Sequence, residues 1–407
     1  MKCRHCQTEL HDTFIDLGFS PPSNAYLRQE DLMRPETYYP LRVMVCHACW
    51  LVQTQDYAHY DQLFESDYAY FSSTSTTWLK HAADYVEMIV SRLQLNQHSK
   101  VVELAANDGY LLQYVQQRGI PCLGVEPTQS TADAARIKGI PIVEEFFGIK
   151  LAADIAARDG KADLIAANNV LAHVPDINDF LGGVALLLAD EGTVTIEFPH
   201  LLNLIEQRQF DTVYHEHFSY LALGSVDRIM RTLGLRVYDV EQLPTHGGSL
   251  RLYACHERAA HQPAAGLKRV RELERSFGLE SSDTYRGFQA KAEIIKLDLL
   301  QFLLEQRRLG KKVMAYGAAA KGNTLLNYSG VHADLLPLVA DAAAAKQNKY
   351  MPGSHIPIVS PSSLLDAKPD YVLILPWNIK SEVEIQLAAI RDWGGRFVIA
   401  VPSLQIW

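Results

Sequence analysis

The 407-residue sequence predicts an α/β protein with a mostly parallel sheet in its middle third, on three observations. Apolar strand-like runs at Val101–Leu104, Cys122–Pro127, Asp163–Asn168 and Thr193–Phe198 alternate with helical patterns, as βαβ units require. The first run leads into a turn of small residues, Ala105-Ala106-Asn107-Asp108-Gly109, and a helix-like stretch from Tyr110 to Gly119. The second run closes on an acid, Glu126.

Two cysteine knuckles precede this core. Cys3-x-x-Cys6 and Cys46-x-x-Cys49 are separated by 39 residues. Four thiolates in two such knuckles can take one tetrahedral Zn²⁺, with no ligand position left open for catalysis. A redox pair is the alternative, but two copies without a thioredoxin-like context disfavour it. Cys122 and Cys255 read as ordinary buried thiols.

The turn after the first strand decides between ligands. Doubly wound folds use an acid at the end of the second strand to grip ribose hydroxyls, which assigns that role to Glu126. The turn carries one glycine, Gly109, and is not G-x-G-x-x-G, so a pyrophosphate and hence NAD are poorly supported. S-adenosylmethionine has no phosphates and asks less of this turn.

Downstream of the strand Thr193–Phe198 and Pro199 comes Phe210-Asp211-Thr212-Val213-Tyr214-His215-Glu216-His217-Phe218-Ser219-Tyr220. Two histidines, a glutamate and two tyrosines gather where an open α/β sheet binds its ligands, with histidine the natural acid or base near neutral pH. Towards the C-terminus, Val313–Gly317 reads as strand then turn, and Lys321 follows at the start of a helix, an arrangement suited to an anion. The stretch is not a P-loop. Leu267–Ser276, with Arg269, Arg271, Glu272, Glu274 and Arg275, reads as a solvated helix joining domains.

Composition excludes several classes. A net charge of −9 without a basic run argues against nucleic acid as the main partner. The start of the chain lacks the apolar stretch of a signal peptide, and no run approaches the ~18 apolar residues of a membrane span, so a cytoplasmic protein is expected.

With these pieces in view, the chain resembles the sugar C-methyltransferases that act on nucleotide-linked ketodeoxysugars. Ser20-Pro21-Pro22-Ser23-Asn24-Ala25-Tyr26-Leu27 sits between the cysteine pairs as in the family's zinc-binding domain. Glu103–Gly109 resembles the family's E-I-G-S-N-D-G turn in a class I methyltransferase domain. Tyr214-His215-Glu216-His217 and Thr245-His246-Gly247-Gly248-Ser249-Leu250-Arg251 match two further signatures. Tyr316–Thr324 and Pro369–Asn378 resemble a second, Rossmann-like domain.

The resemblance implies three domains: a zinc-binding domain over 1–65, a methyltransferase domain over 66–255 and a nucleotide-sugar-binding domain over 256–407. It implies methylation of a ring carbon, C-3, of a nucleotide-linked 4-keto-deoxysugar through an enolate, in branched-chain deoxysugar biosynthesis. His217 is the expected base, with Glu216 or Tyr214 orienting or polarising, and His173 and His246 facing the same crevice. Tyr68, Ser72, Ser75, Glu103, Ala105, Asn107, Asp108, Gly109, Glu126, Asn168 and Asn169 are expected around S-adenosylmethionine. Arg251, Tyr316, Lys321 and Asn323 are expected around the substrate, and Cys3, Cys6, Cys46 and Cys49 around Zn²⁺. No nucleic-acid or membrane partner is implied, and a monomer or weak homo-oligomer is expected.

Departures from the pattern keep rivals in play. Ala105 and Ala106 replace the family's glycine and serine. Alanine suits negative-φ backbone but crowds the approach of the methionine end. Ala319 replaces a proline, and Asp341-Ala342-Ala343-Ala344-Ala345-Lys346-Gln347 lacks the family's arginine. The rivals are a sugar O- or N-methyltransferase, a zinc-containing nucleic-acid methyltransferase, and an inactive nucleotide-sugar-binding protein.

Overall fold

The computed structural model describes residues 1–57 and 71–407. Tyr68 lies outside the described residues. At the N-terminus, β1 (Asp12–Ser20), β2 (Tyr39–Val45) and β3 (Val52–Thr54) form an antiparallel sheet. Next come β4 (Val101–Leu104), β5 (Cys122–Val125), β6 (Ile142–Val143), β7 (Ala162–Asn168), β8 (Leu188–Pro199), β9 (Ser219–Tyr220), β10 (Leu235–Leu243) and β11 (Ser249–His256). All but β9 assemble a seven-stranded sheet in the order β10-β11-β8-β7-β4-β5-β6. Its β8-β7-β4-β5-β6 portion is parallel and β11 runs antiparallel to both neighbours. Strand order reverses between β4 and β7, the switch point at whose carboxyl ends sheets of this kind bind their ligands.

The third sheet contains β12 (Val313–Tyr316), β13 (Val339–Ala340), β14 (Ile358–Val359), β15 (Tyr371–Ile374), β16 (Arg396–Ile399) and β17 (Gln405–Ile406). Its order is β14-β13-β12-β15-β16-β17, parallel except for β17. β4 and β7 are buried almost throughout, as parallel strands covered on both faces must be.

The three sheets are not independent. β9 leaves the middle of the chain to pair with β3, so the N-terminal sheet reads β1-β2-β3-β9. Phe14 of β1 stacks on Phe288 at 4.4 Å, and both belong to a core shared with the third sheet. Burial of aromatic faces thus seats the N-terminal sheet on the C-terminal domain.

Among the helices, α1 (Thr76–Leu93) packs Ala82, Tyr85, Val86 and Ile89 inward. Its N-cap is Ser75, whose hydroxyl accepts from the Trp78 N–H at 3.2 Å. The helix expected from Tyr110 shrinks to Leu112–Gln116, because Gly109 and Gly119 hold positive φ at both ends.

The charged stretch around Leu267 forms α3 (Ala265–Phe277), placed beside α2 (Leu223–Thr232). Here the expectation of a solvated linker needs correcting. α3 buries Leu267, Val270 and Glu274 against the middle sheet. Glu274 accepts from the Leu223 and Gly224 N–H groups at 2.6 and 2.8 Å and pairs with His200 at 2.8 Å, capping α2. α3 therefore packs on the middle sheet, and it is followed by α4 (Phe288–Arg308) and α5 (Ala320–Ser329). Among the described residues no helix is long and apolar enough to cross a membrane.

Candidate active site between three domains

The four paired cysteines come together from the chain start and the β2–β3 turn. Their Sγ atoms lie within 4.8 Å of one another, with Cys3–Cys49 at 3.6 Å and Cys6–Cys46 at 3.5 Å. A tetrahedron with Zn–S bonds of about 2.3 Å has S···S edges of about 3.8 Å, so the donor set fits Zn²⁺. Cys255 is buried and Cys122 half-buried, both remote from this cluster.

The donor crevice is built on the turn after β4. Ala105 adopts φ 56 and Asn107 φ 49. Asparagine tolerates this left-handed region, whereas alanine is strained in it. The negative-φ expectation for Ala105 is therefore corrected: the position favours the glycine it lacks. Glu126 follows β5 directly, and its carboxylate accepts from the Asn107 and Thr128 N–H groups, both at 3.0 Å. Two backbone bonds leave further lone pairs on this carboxylate. Glu103 is fully buried, and burial with nearby Glu126 and Asp108 raises its carboxyl well above the usual range.

The segment 71–75 closes on this turn. The Ser72 N–H donates to Asn107 Oδ1 at 2.9 Å, and the Ser73 N–H to Asp108 Oδ2 at 3.3 Å. Lys138 ties the two strips together, donating to Ser73 Oγ at 2.8 Å and to the Asp108 carbonyl at 2.6 Å. Among the described residues, neither side-chain atom of buried Asn168 has a hydrogen-bond partner, and Asp108 Oδ1 and Asn169 Oδ1 likewise have none. Orphaned buried polar atoms are rare, and four of them after β4 and at the end of β7 are explained by a polar ligand bound there. The residues present fit a polar amino-acid and ribose ligand.

Trp78 leads from this crevice to the next. Its ring stacks on His81 at 4.8 Å and lies 5.2 Å from His246. His246 Nε2 is 3.1 Å from Asn169 Nδ2, which donates to it. Behind them Glu197 is fully buried, with His81 at 2.9 Å, Arg251 at 2.8 Å and the Thr245 hydroxyl at 3.0 Å. Burial would raise the Glu197 carboxyl, but His81 and Arg251 outweigh it and hold it low. Arg251 also reaches Glu241 at 3.3 Å and is 4% exposed, so its two terminal nitrogens are committed to this network, while Nε has no partner among the described residues.

The second crevice centres on His217. Its Nδ1 lies 2.8 Å from the Thr212 carbonyl and its Nε2 lies 2.8 Å from the Tyr214 hydroxyl. A carbonyl only accepts, so Nδ1 carries the proton and Nε2 takes the tyrosine's. His173 packs against this ring with centroids 4.7 Å apart and donates from Nδ1 to the Glu216 carbonyl at 2.8 Å. Burial first, then His173, pushes His217 well below the usual imidazole range. Burial lowers His173 to about 4, and burial with the Lys321 charge lowers His246 to about 4. All three rings are neutral near pH 7.

Glu216 turns away from His217. Asn24, from the N-terminal domain, donates to its Oε1 at 3.2 Å, its Oε2 has no partner among the described residues, and burial raises it to about 6. The C-terminal domain closes the far side. Lys321 donates to Asn378 Oδ1 at 2.6 Å and lies 4.7 Å over the Trp377 ring, whose Nε1–H donates to Asp211 at 2.7 Å. Gly247 presses against that ring, where a Cβ would come within 2.5 Å of it. Asn323 is fully buried and donates to the Ser23 carbonyl at 2.7 Å, while Tyr316 is bonded to Gln386. Asn323 thus sits in a contact with the N-terminal domain and Tyr316 inside the C-terminal domain. Thr212, Asn24, Trp78, His81, Glu197 and Lys138 were not among the expected site residues. Asn24 lay within the Ser20–Leu27 stretch, while Thr212 contributes only a backbone carbonyl that no side-chain pattern reveals.

A doubly wound sheet with an acid after its second strand, opening beside a crevice of neutral histidines, defines a class I S-adenosylmethionine-dependent methyltransferase. A methyltransferase-domain family matches residues 78–240, a zinc binding domain residues 3–64 and a C-methyltransferase C-terminal domain residues 244–402. The chain is 34% identical to C-methyltransferase NovU of Streptomyces niveus over 408 residues, spanning 100% of this chain and 96% of that protein. It belongs to this family of C-methyltransferases. Among solved structures, magnesium protoporphyrin IX methyltransferase of Synechocystis with bound SAH is 15% identical, over 44% of this chain and 83% of that one, with TM-score 0.35. PH0226 protein of Pyrococcus horikoshii is 13% identical, over 49% and 100%, with TM-score 0.39.

Proposed function

We propose that the chain methylates a ring carbon, C-3, of a nucleotide-linked 4-keto-deoxysugar through an enolate. The observation that carries this reading is the Thr212–His217–Tyr214 chain of hydrogen bonds, which leaves a neutral imidazole with its basic nitrogen bonded to a phenol. A ketone acidifies the neighbouring C–H bond, so a carbon nucleophile needs a base and a stabilised oxyanion. His217 takes the α-proton at Nε2, with the Tyr214 hydroxyl moving from that nitrogen to the substrate as it enters. The Lys321 ammonium, on the C-terminal side, offsets the negative charge of a diphosphate held there. S-adenosylmethionine, when bound, supplies an electrophilic methyl group. Glu126 holds its ribose hydroxyls, and Asp108, Asn168 and Asn169 supply partners for its polar end.

The test is incubation with dTDP-4-keto-6-deoxyglucose and methyl-labelled donor, followed by location of the label. A new carbon–carbon bond at C-3 supports the reading. Label on oxygen or nitrogen would favour the O- or N-methyltransferase, and absence of S-adenosylhomocysteine binding would favour the inactive binding protein.

A further inference from the structure

The cysteine knuckle reaches beyond its own domain. Arg4 lies between Cys3 and Cys6, and its side chain is 5% exposed. Its N–H donates to Gln53 Oε1 at 2.8 Å, and Gln53 Nε2 donates to Cys3 Sγ at 3.2 Å. The guanidinium forks away from the cysteines. One nitrogen donates to the Pro175 carbonyl at 2.9 Å, 171 residues along the chain and two residues past His173. The other donates to the Thr54 carbonyl at 2.9 Å and pairs with Asp56 at 2.9 Å.

The same fork bears on the His217 loop. The guanidinium carbon lies 5.3 Å over the Phe218 ring, next to His217. Thr54 sends its N–H to the Phe218 carbonyl at 3.0 Å and its hydroxyl to the His217 carbonyl. On the other flank, Asn178 donates to the carbonyls of Arg4 and His5 at 3.3 and 3.0 Å, and its Oδ1 is 2.8 Å from His5 Nδ1. The interior of the knuckle therefore holds both loops that carry the crevice histidines.

We infer that Arg4 is a positioning residue for the acceptor site, transmitting the geometry of the four-cysteine knuckle to the loops that carry His173 and His217. A closed metal site needs nothing from the residue between its ligands. A planar fork holds two carbonyls from different domains in one fixed geometry, whereas an ammonium's rotatable donors on a flexible stem fix it less well. The inference rests on His217 being the base, but its geometry can be read without turnover.

The test compares the zinc-loaded full chain with Arg4→Ala and Arg4→Lys. The His217 Nδ1–H, held by the Thr212 carbonyl, gives a protected low-field proton resonance, assigned by its loss in His217→Asn. Both variants are expected to retain zinc at the parent's ratio while this resonance shifts and its exchange with solvent quickens about tenfold or more. With dTDP-4-keto-6-deoxyglucose as probe, kcat should fall about 10²-fold in Arg4→Ala and less in Arg4→Lys, with the donor KM unchanged. An unshifted resonance in a zinc-retaining variant overturns the inference, as does a loss of kcat that tracks zinc loss. If Arg4→Ala does not fold, Arg4→Lys decides alone. If the parent does not turn over the probe, the base reading fails separately and the resonance still decides.

Discussion

The Tyr214 hydroxyl donates to Nε2 of His217 at 2.8 Å while Nδ1 of the same ring is committed to the Thr212 carbonyl. One tautomer is thereby fixed, with the lone pair on the side where a substrate can replace the phenol. Burial and His173 keep the ring neutral, so the acid limb of the pH–rate profile should lie below the ordinary imidazole value of about 6.5. The tyrosine bonds the neutral form and so lowers this pKa further. Tyr214→Phe should therefore move the acid limb to higher pH, read from kcat/KM against pH. A shift to lower pH would mean that the tyrosine bonds the charged ring instead.

Glu126 supplies the second outcome. Its carboxylate ends β5 and braces the Asn107 turn through a 3.0 Å bond. Glu126→Ala should weaken S-adenosylhomocysteine binding by about 1–3 kcal/mol, the cost of losing a charge-assisted bond. An unchanged dissociation constant in calorimetry would move the ribose clamp elsewhere.

Ala105 makes a prediction of opposite sign. At φ 56 it holds a conformation that costs a Cβ-bearing residue about 1–2 kcal/mol. Ala105→Gly should regain about 1 kcal/mol, after the added freedom of glycine in the unfolded chain is subtracted. Thermal unfolding should show a raised midpoint and titration a tighter donor complex. A lowered midpoint would mean that the methyl group packs usefully.

Glu216 ties stability to pH. Its carboxyl is raised from 4.5 to about 6 by burial, with one oxygen unpaired among the described residues. Between those values the native protein holds a proton that the unfolded chain has released, so stability falls as pH rises through this window. The loss is about 2 kcal/mol at most and is complete above pH of about 6. Glu216→Gln keeps an acceptor for Asn24 and removes the penalty. The variant should match the parent near pH 4 and unfold at higher denaturant than the parent near pH 8.

Much of this was legible in the sequence where spacing carries the information. The alternation from Val101 to Phe198 gave the parallel strands, and the two Cys-x-x-Cys pairs gave a cluster that the fold closes. Glu126 and His217 stand where the strand ends and the aromatic–histidine run put them. The signals that failed were those set by tertiary contact. Glu274 looked like one charge among several in a solvated helix, because its partners, the Leu223 and Gly224 amides and His200, lie fifty residues or more away. Arg251, expected around the substrate, also pairs with a buried Glu197 on the neighbouring strand, a contact no local pattern announces. No local pattern shows that β9 crosses to the N-terminal sheet, since a two-residue strand has no periodicity to read.

The most direct measurement of the central claim is exchange of the ketosugar α-proton for solvent deuterium, followed by NMR with S-adenosylhomocysteine in place of the donor. Enolisation precedes methyl transfer, so the parent should exchange the proton at C-3 without turnover. His217→Asn should bind both ligands within a few-fold of the parent and lower exchange and methylation on the order of 10²–10⁴, the usual contribution of a general base. Methylation undiminished in His217→Asn would contradict the account and remove this histidine from the chemistry.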